Sequence, residues 1–421
     1  MHSSQIASSA DLRLPEQAKD GPTYPLAELA ALFIALVLFS EGLVPRLVTA
    51  DEVADGTPIL RLAWLPVYAL VLAGSLWHAR AMAMTALRLP FLMALLAIAA
   101  GSVAWSIDPA LTQRRAIAVL MTSLSGLYIG TRYDWRTMLR VIGLVWLTIA
   151  IISAVVSLLN PAFGVHQEVH AGAWRGMYYE KNQLGGHMAT ASLICGFLAL
   201  MDLDWRRFWS GGFVLCAGLV LMSTSTTALL AMTLGIAILC VALWMKRGQL
   251  TAIFSLWLGF VFILIAGAVL LLSPELVLGV LGKDATLTGR TDIWSVAFDA
   301  IAERPWLGYG YGAFWAPESE PAFWIREALQ WDAPTAHNAW IDVVLALGLV
   351  GLVCFLLNFV LTLGRALIAS FTTWTGVLAL GICSQFILLS MSESIALQQN
   401  AIVWVTYIAI AAKLVIRQPQ A

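Results

Sequence analysis

Twelve times along this chain the polar residues give way to a run of about twenty mostly apolar ones, and that repetition constrains the fold more than any motif does. A helix needs about 20 such residues to cross a hydrocarbon core of about 30 Å. Inside lipid its backbone groups must pair within the protein, which leaves helices or closed barrels as the spanning structures. The runs are Pro25–Leu43, Ile59–Trp77, Leu89–Trp105, Ile117–Tyr133, Leu139–Leu159, Leu184–Leu203, Phe208–Met222, Ala228–Met245, Ala252–Leu272, Ala339–Leu361, Trp374–Leu389 and Ile402–Ile416. They predict an all-α fold, a polytopic membrane helix bundle of about twelve spans. A long loop, residues 273–337, separates spans nine and ten.

Composition agrees: 60% of the 421 residues are apolar and 12% charged, against about a quarter charged in soluble domains. A single transmembrane domain over residues 25–416 is expected, with tails at residues 1–24 and 417–421. The first tail carries Ser, Asp, Glu and Pro rather than the charged-then-apolar layout of a cleavable signal peptide, so the first run is expected to stay as a span. A net charge of -1 without a Lys/Arg-rich run excludes a nucleic-acid footprint. Cys195, Cys216, Cys240, Cys354 and Cys383 all lie in apolar stretches without metal or redox spacing, and read as small core residues.

Basic residues set the orientation, because Lys and Arg of short loops are retained in the cytoplasm. With the N-terminus inside, fourteen of the 24 basic residues fall inside: Arg13, Lys19, Arg80, Arg88, Arg132, Arg136, Arg140, Arg206, Arg207, Lys246, Arg247, Arg365, Lys413 and Arg417. Both tails are then cytoplasmic, and loop 273–337 lies outside. Of the ten basic residues left outside, Arg175, Lys181, Lys283, Arg290, Arg304 and Arg326 fall in two loops, a local breach of the rule that asks for a reason.

Those two loops carry the chemistry. Loop 273–337 is far longer than ordinary helix connections and is rich in Trp. Within it Ile293, Val296, Ala297, Ala300 and Ile301 recur at helical spacing over Thr291–Glu303, with Pro305 as the stop. Such a helix suits the membrane surface, and packing there is the plainer account of it. Arg175 lies in Trp174-Arg175-Gly176, shortly before Lys181-Asn182 at the head of the sixth run. Arg290 lies in Gly289-Arg290-Thr291-Asp292-Ile293-Trp294, and Arg304 in Arg304-Pro305-Trp306-Leu307-Gly308. Guanidinium groups match phosphate oxygens with two parallel hydrogen bonds. The competing account is that each arginine snorkels to lipid headgroups.

His337 opens the tenth run beside Asn338, with Asp342 one turn on. An imidazole with an ordinary pKa of about 6.5 can take a proton near neutral pH, although a histidine at a helix start is commonly structural. No second His or Cys stands at metal-ligand spacing from it, which argues against zinc. Gly308-Tyr309-Gly310-Tyr311-Gly312 follows no strand and reads as a flexible turn with aromatic walls rather than a phosphate loop. Ser223–Thr227 reads as a cap for the following helix.

Four pieces in this order resemble the O-antigen ligase and Wzy-type polymerase superfamily, most closely its ExoQ-like exopolysaccharide-polymerase branch. They are Trp105-Ser106-Ile107-Asp108-Pro109, then Arg175-Gly176 with Lys181-Asn182. The third is the Gly289–Trp294 and Arg304–Gly310 segments, and the fourth His337-Asn338 with Gly348 and Gly351. The resemblance implies metal-independent glycosyl transfer, without cofactors, at the periplasmic face of the bacterial inner membrane, where loop 273–337 would lie, from an undecaprenyl-diphosphate-linked oligosaccharide to an acceptor hydroxyl. His337, Arg290 and Arg175 are then the expected catalytic residues. Arg304, Lys181, Asn182, Asn338, Trp294 and Tyr311 are expected to contact substrate. His337 would either deprotonate the acceptor or hydrogen-bond the leaving diphosphate. Partners would be the growing polysaccharide acceptor and membrane lipids, with a flippase and a chain-length regulator left open. A polymerase would extend another lipid-linked repeat unit; a ligase would load a lipid A core. A transporter of polysaccharide or small molecules is the reading from another class. It is disfavoured because ionisable residues gather at span ends and no internal repeat is visible.

Overall fold

The structure is a computed structural model that describes residues 23–40, 42–48, 58–168, 170–245, 290–330 and 332–416, with scattered positions between 248 and 259. Most of the N-terminal tail, the C-terminal tail and most of the ninth apolar run lie outside the described residues. So does the loop from residue 273 to residue 289.

Within that set every regular element is a helix. In chain order they are α1 Leu26–Leu38, α2 Leu43–Val48, α3 Pro58–Trp77, α4 Ala79–Leu87, α5 Pro90–Gly101, α6 Pro109–Arg132, α7 Trp135–Leu159 and α8 Pro161–Gly164. They continue with α9 Lys181–Met201, α10 Arg206–Met222, α11 Thr226–Met245, α12 Arg290–Glu303, α13 Glu320–Leu329, α14 Ala339–Ser370, α15 Trp374–Ser390 and α16 Ile402–Val415. Side chains at the starts fix several of these boundaries by accepting otherwise unpaired amides. Asp108 accepts from Leu111 N (2.9 Å), with Pro109 at the first helical position. Asp134 accepts from Thr137 N (2.9 Å) and Thr373 from Gly376 N (3.0 Å).

Four of the described helices, α7, α9, α11 and α14, are long and apolar enough to cross a membrane, or five if α3 and α4 form one span bent by 89°. Shorter apolar helices run at α1, α5, α15 and α16. The bend after Trp77 differs from the sequence pattern, which leaves Ala79–Leu87 as a connection. Nine residues that include Arg80 and end against Arg88 are too short to register as a span, yet Met82 and Thr85 are buried and hold the segment against the bundle.

α9 and α16 are buried on nearly every side. The up-and-down path of α7, α9, α14, α15 and α16 sorts the polar residues to two ends. One end holds ion pairs that tie helices together: Arg140 grips Asp202 through two hydrogen bonds (2.6 and 2.7 Å), and Trp209 Nε1 adds a third at 3.1 Å. There Arg132 pairs with Glu28 at 3.0 Å, and Tyr128 and Tyr133 donate to the same carboxylate. The opposite end gathers Glu180, Arg290, His337 and Glu393.

α14 is interrupted near that second end. Gly348 has φ 66° and ψ −170°, and the Arg304–Gly312 segment docks into the break. In an unbroken helix Leu349 N and Val350 N would donate to the carbonyls of Leu345 and Ala346. Here Tyr309 N and Gly310 N take those carbonyls (2.8 and 3.0 Å), while Leu349 N and Val350 N donate to Pro305 O and Trp306 O (2.8 and 3.3 Å). The turn expected to be flexible is therefore stitched into a helix. Tyr309 and Tyr311 are buried, and Gly310 (φ 99°) lies so close to Ser106 that a Cβ would sit 2.4 Å from its Oγ. The Trp105–Pro109 motif completes the joint: Trp105 Nε1 donates to Leu307 O (2.9 Å) and Ile107 N to Tyr309 O (3.0 Å).

Candidate active site

His337 stands on a constrained turn. Its backbone is left-handed (φ 49°), a conformation that costs a non-glycine residue on the order of 1–3 kcal/mol unless its surroundings enforce it. They do so through hydrogen bonds on both sides. Trp294 Nε1 donates to Ala336 O (2.9 Å), Ala336 N to Asp342 Oδ1 (3.1 Å), and His337 N to Thr335 Oγ1 (3.2 Å). Asn338 Oδ1 accepts from Trp340 N and Ile341 N (3.0 and 3.3 Å), which starts α14 directly after the turn.

The imidazole faces Glu393, from the connector between α15 and α16. Glu393 Oε2 lies 3.6 Å from His337 Nδ1, while Oε1 lies 3.1 Å from Arg290 Nη2 at the head of α12. The three side chains are only 14–18% exposed, so their charges interact with little screening by water. Burial by itself depresses the His337 pKa, but the nearby Glu393 carboxylate outweighs it and leaves the pKa raised. Arg290 opposes that rise and Asp342 assists it.

Arg175 and Lys181 sit in the neighbouring loop with Glu180. Arg175 donates to Phe163 O (3.0 Å) and Ala162 O (3.3 Å). Arg46, from α2, reaches the same Phe163 carbonyl (2.5 Å), Gly176 O (3.2 Å) and Tyr178 O, with its guanidinium 3.9 Å over the Phe163 ring. Burial, and then the charge of Arg175, pull the Arg46 pKa down to about 10. Lys181 Nζ contacts Thr224 Oγ1 at 3.4 Å. Burial and the surrounding cations pull the His166 pKa down to about 4, so its neutral Nε2 can accept the Lys181 amide (3.2 Å). The carboxyl of Glu180 is raised by burial and lowered by His337 and Arg175, which links this loop electrostatically to the His337 cluster.

The remaining expected residues divide. Trp294 holds the His337 turn, and Asn182 is half-buried in the first turn of α9. Arg304 is exposed, with its guanidinium 4.9 Å from the Tyr309 ring centre. Two have their polar groups engaged inside the fold: Asn338 in its cap, and Tyr311, whose buried hydroxyl donates to Leu397 O (2.7 Å). Ser225, in the serine–threonine run, accepts from Ala228 N at 3.5 Å as a cap would. Glu393, Glu180 and Arg46 were absent from the expected site. The available signal was Glu393 itself, a carboxylate just past the end of an apolar run, beside loops rich in cations. Among the described residues no group of three or more His, Cys, Asp or Glu is arranged to hold a metal ion.

Comparison with known proteins adds to this geometry. Residues 211–356 match the family model described as O-antigen ligase. That match bears out the family resemblance. It encloses Arg290, Trp294, Arg304, Tyr311, His337 and Asn338, and stops short of Glu393. The chain is also 29% identical over 269 residues to the exopolysaccharide production protein ExoQ of Rhizobium meliloti (strain 1021). That alignment covers 59% of this chain and 58% of the relative, so it spans less than two thirds of the relative's length.

Proposed function

We propose that this membrane protein is a glycosyltransferase that polymerises lipid-linked oligosaccharide repeat units into an exopolysaccharide or O-antigen-like polymer. The observation that carries the reading is one carboxylate, Glu393, held between Arg290 and His337 on a strained turn, with Arg175 and Lys181 in the adjoining loop. The acceptor hydroxyl oxygen attacks the anomeric carbon and its proton passes to His337. The bond to the diphosphate oxygen breaks, and undecaprenyl diphosphate leaves as an anion. Arg290 and Arg175 hold that anion, whose charge grows as the bond lengthens. Guanidinium groups fill the role of charge compensation, so the scheme uses no metal. The bundle of about twelve spans sits in the bacterial inner membrane with both tails in the cytoplasm. Arg132, Arg136, Arg140 and Lys413, at the end opposite His337, support that orientation. Loop 273–337 and the head of α14 then face the periplasm.

The match to a model described as O-antigen ligase favours a second reading, in which the acceptor is a lipid A core. A deletion strain separates the two when its polysaccharide is resolved on gels. Polymerase predicts single repeat units accumulating on lipid. Full-length polymer left unattached to lipid A would replace polymerase with ligase.

The Glu393 contact also predicts a pH signature. His337 acting as a base must be neutral, so activity rises with pH through its pKa, which lies above the usual 6.5. Glu393→Gln removes the charge that raises this pKa, and the rise should move to lower pH. If His337 instead holds the leaving diphosphate as a cation, activity should fall through the same pKa as pH increases, and the substitution should shift that fall to lower pH. A profile that Glu393→Gln leaves in place would remove Glu393 from the scheme.

A further inference from the structure

We infer that Asp342 is a positioning residue, and that it sets the His337 turn against the Glu393 connector. The inference rests on the glycosyl-transfer reading for its consequence in turnover, and on geometry alone for the placement of the histidine.

Asp342 is the point where three separate pieces of chain meet. Its Oδ1 accepts from Trp315 Nε1 (2.7 Å), in the segment between the glycine turn and α13. The same oxygen accepts from Ala336 N (3.1 Å), the amide immediately before His337. Its Oδ2 accepts from Ser394 Oγ, the residue immediately after Glu393. One carboxylate thus holds the residue before the histidine and the residue after its partner. Neither contact is local in the helix: Ser394 is 52 residues away in sequence and Trp315 is 27. Because His337 occupies a left-handed backbone conformation, the turn relaxes unless something retains it. The Asp342–Ala336 bond is one of the restraints that retain it, and the Asp342–Ser394 bond keeps the connector at the same distance.

The charged groups facing His337 are Glu393 from the connector, Arg290 from α12, Asp342 from α14 and Glu180 from the start of α9. Asp342→Ala removes one of these charges and all three hydrogen bonds. Asp342→Asn removes the charge alone, since its Oδ1 can still accept from Trp315 and Ala336 and its Nδ2 can donate to Ser394 Oγ. Comparing the two substitutions therefore separates placement from charge.

The test uses purified full-length protein in detergent with isotope-labelled histidine, and His337→Gln to assign the His337 signal. Two readouts are taken: the imidazole titration by NMR, and turnover with a lipid-linked oligosaccharide. In Asp342→Ala the His337 pKa should fall, because the ring loses its hold on Glu393. Turnover should drop about 10- to 100-fold with the donor KM little changed, the usual scale for reacting groups misplaced by about 1 Å. Asp342→Asn should return the titration most of the way, short of the unsubstituted protein by the charge it removes, and recover most of the lost turnover. Should Asp342→Ala fail to accumulate, the Trp315→Phe/Ser394→Ala pair removes the two side-chain tethers while keeping the carboxylate and its bond to Ala336 N, and a smaller fall in the His337 pKa is expected there as the connector loosens. Asp342→Asn behaving like Asp342→Ala in both readouts would overturn the inference, because charge rather than tethering would then be the cause. An unmoved titration in Asp342→Ala, or in the paired variant, would overturn it as well. If the titrations shift as expected while the unsubstituted protein forms no product, the positioning stands and the glycosyl-transfer reading falls.

Discussion

Replacing His337 or Arg290 with alanine is expected to abolish polymer while the protein stays at normal abundance in the membrane. General acid–base groups contribute about 10²–10⁴ in rate. A single donor that stabilises developing negative charge contributes about 10²–10³. Either loss would take a slow membrane transferase below detection on a gel of cell polysaccharide. The two effects should also be far from additive, because both side chains contact one carboxylate. Without Arg290, Glu393 is left with His337 alone, so the ring's pKa climbs and fewer molecules hold it neutral. Without His337, nothing accepts the proton whatever Arg290 does. The double variant should therefore be little worse than the poorer single one, as for groups that work as a unit. Normal polymer length from either single variant would refute the site, provided blotting shows it at wild-type level.

Gly348→Ala should be as damaging by another route, through folding. At φ 66° and ψ −170° the residue lies in territory nearly restricted to glycine, and a Cβ there would sit 2.2 Å from the Trp306 carbonyl carbon and oxygen. Both contacts are backbone atoms, which cannot rotate away. Relief requires the Arg304–Gly312 segment to leave the break, which unpairs Leu345 O, Ala346 O, Leu349 N and Val350 N together. Each unpaired group in an apolar setting costs on the order of 1–3 kcal/mol, enough in sum to consume the usual net stability of a domain. The variant should be lost from the membrane fraction or extracted in an aggregated form. Gly364→Ala, on the same helix with nothing within 4 Å of the added methyl, serves as the control and should accumulate normally. Wild-type abundance for Gly348→Ala would mean that the docked segment does not hold the break.

Periodicity and charge made the helices, the α12 segment and the two cation-bearing loops legible before any coordinates. Periodicity failed where the chain breaks its own regularity. Nothing in a hydropathy window marks the 89° turn after Trp77, because both arms are apolar and only the backbone between them changes direction. The interruption at Gly348 is likewise hidden inside an apolar run, and its purpose shows only when Tyr309 and Gly310 arrive from outside the helix. In the site, Arg290 and His337 stood out because a cation or an imidazole beside a span demands explanation. Asn338 and Tyr311 drew attention for the same polarity, and the structure instead engages that polarity in a cap and a carbonyl contact. Glu393 lies more than fifty residues from His337 in sequence, and only the packing of α15 against α14 makes them neighbours.

The break in α14 has a consequence for how the protein is made. A segment that reads as one apolar run contains, near the end that His337 opens, two carbonyls and two amides that no residue of that run satisfies. Their partners are Pro305, Trp306, Tyr309 and Gly310, which are synthesised before α14 and must wait for it to be in place. Completion of α14 and docking of the Arg304–Gly312 segment are thus coupled, and the helix is finished only when that segment closes on it.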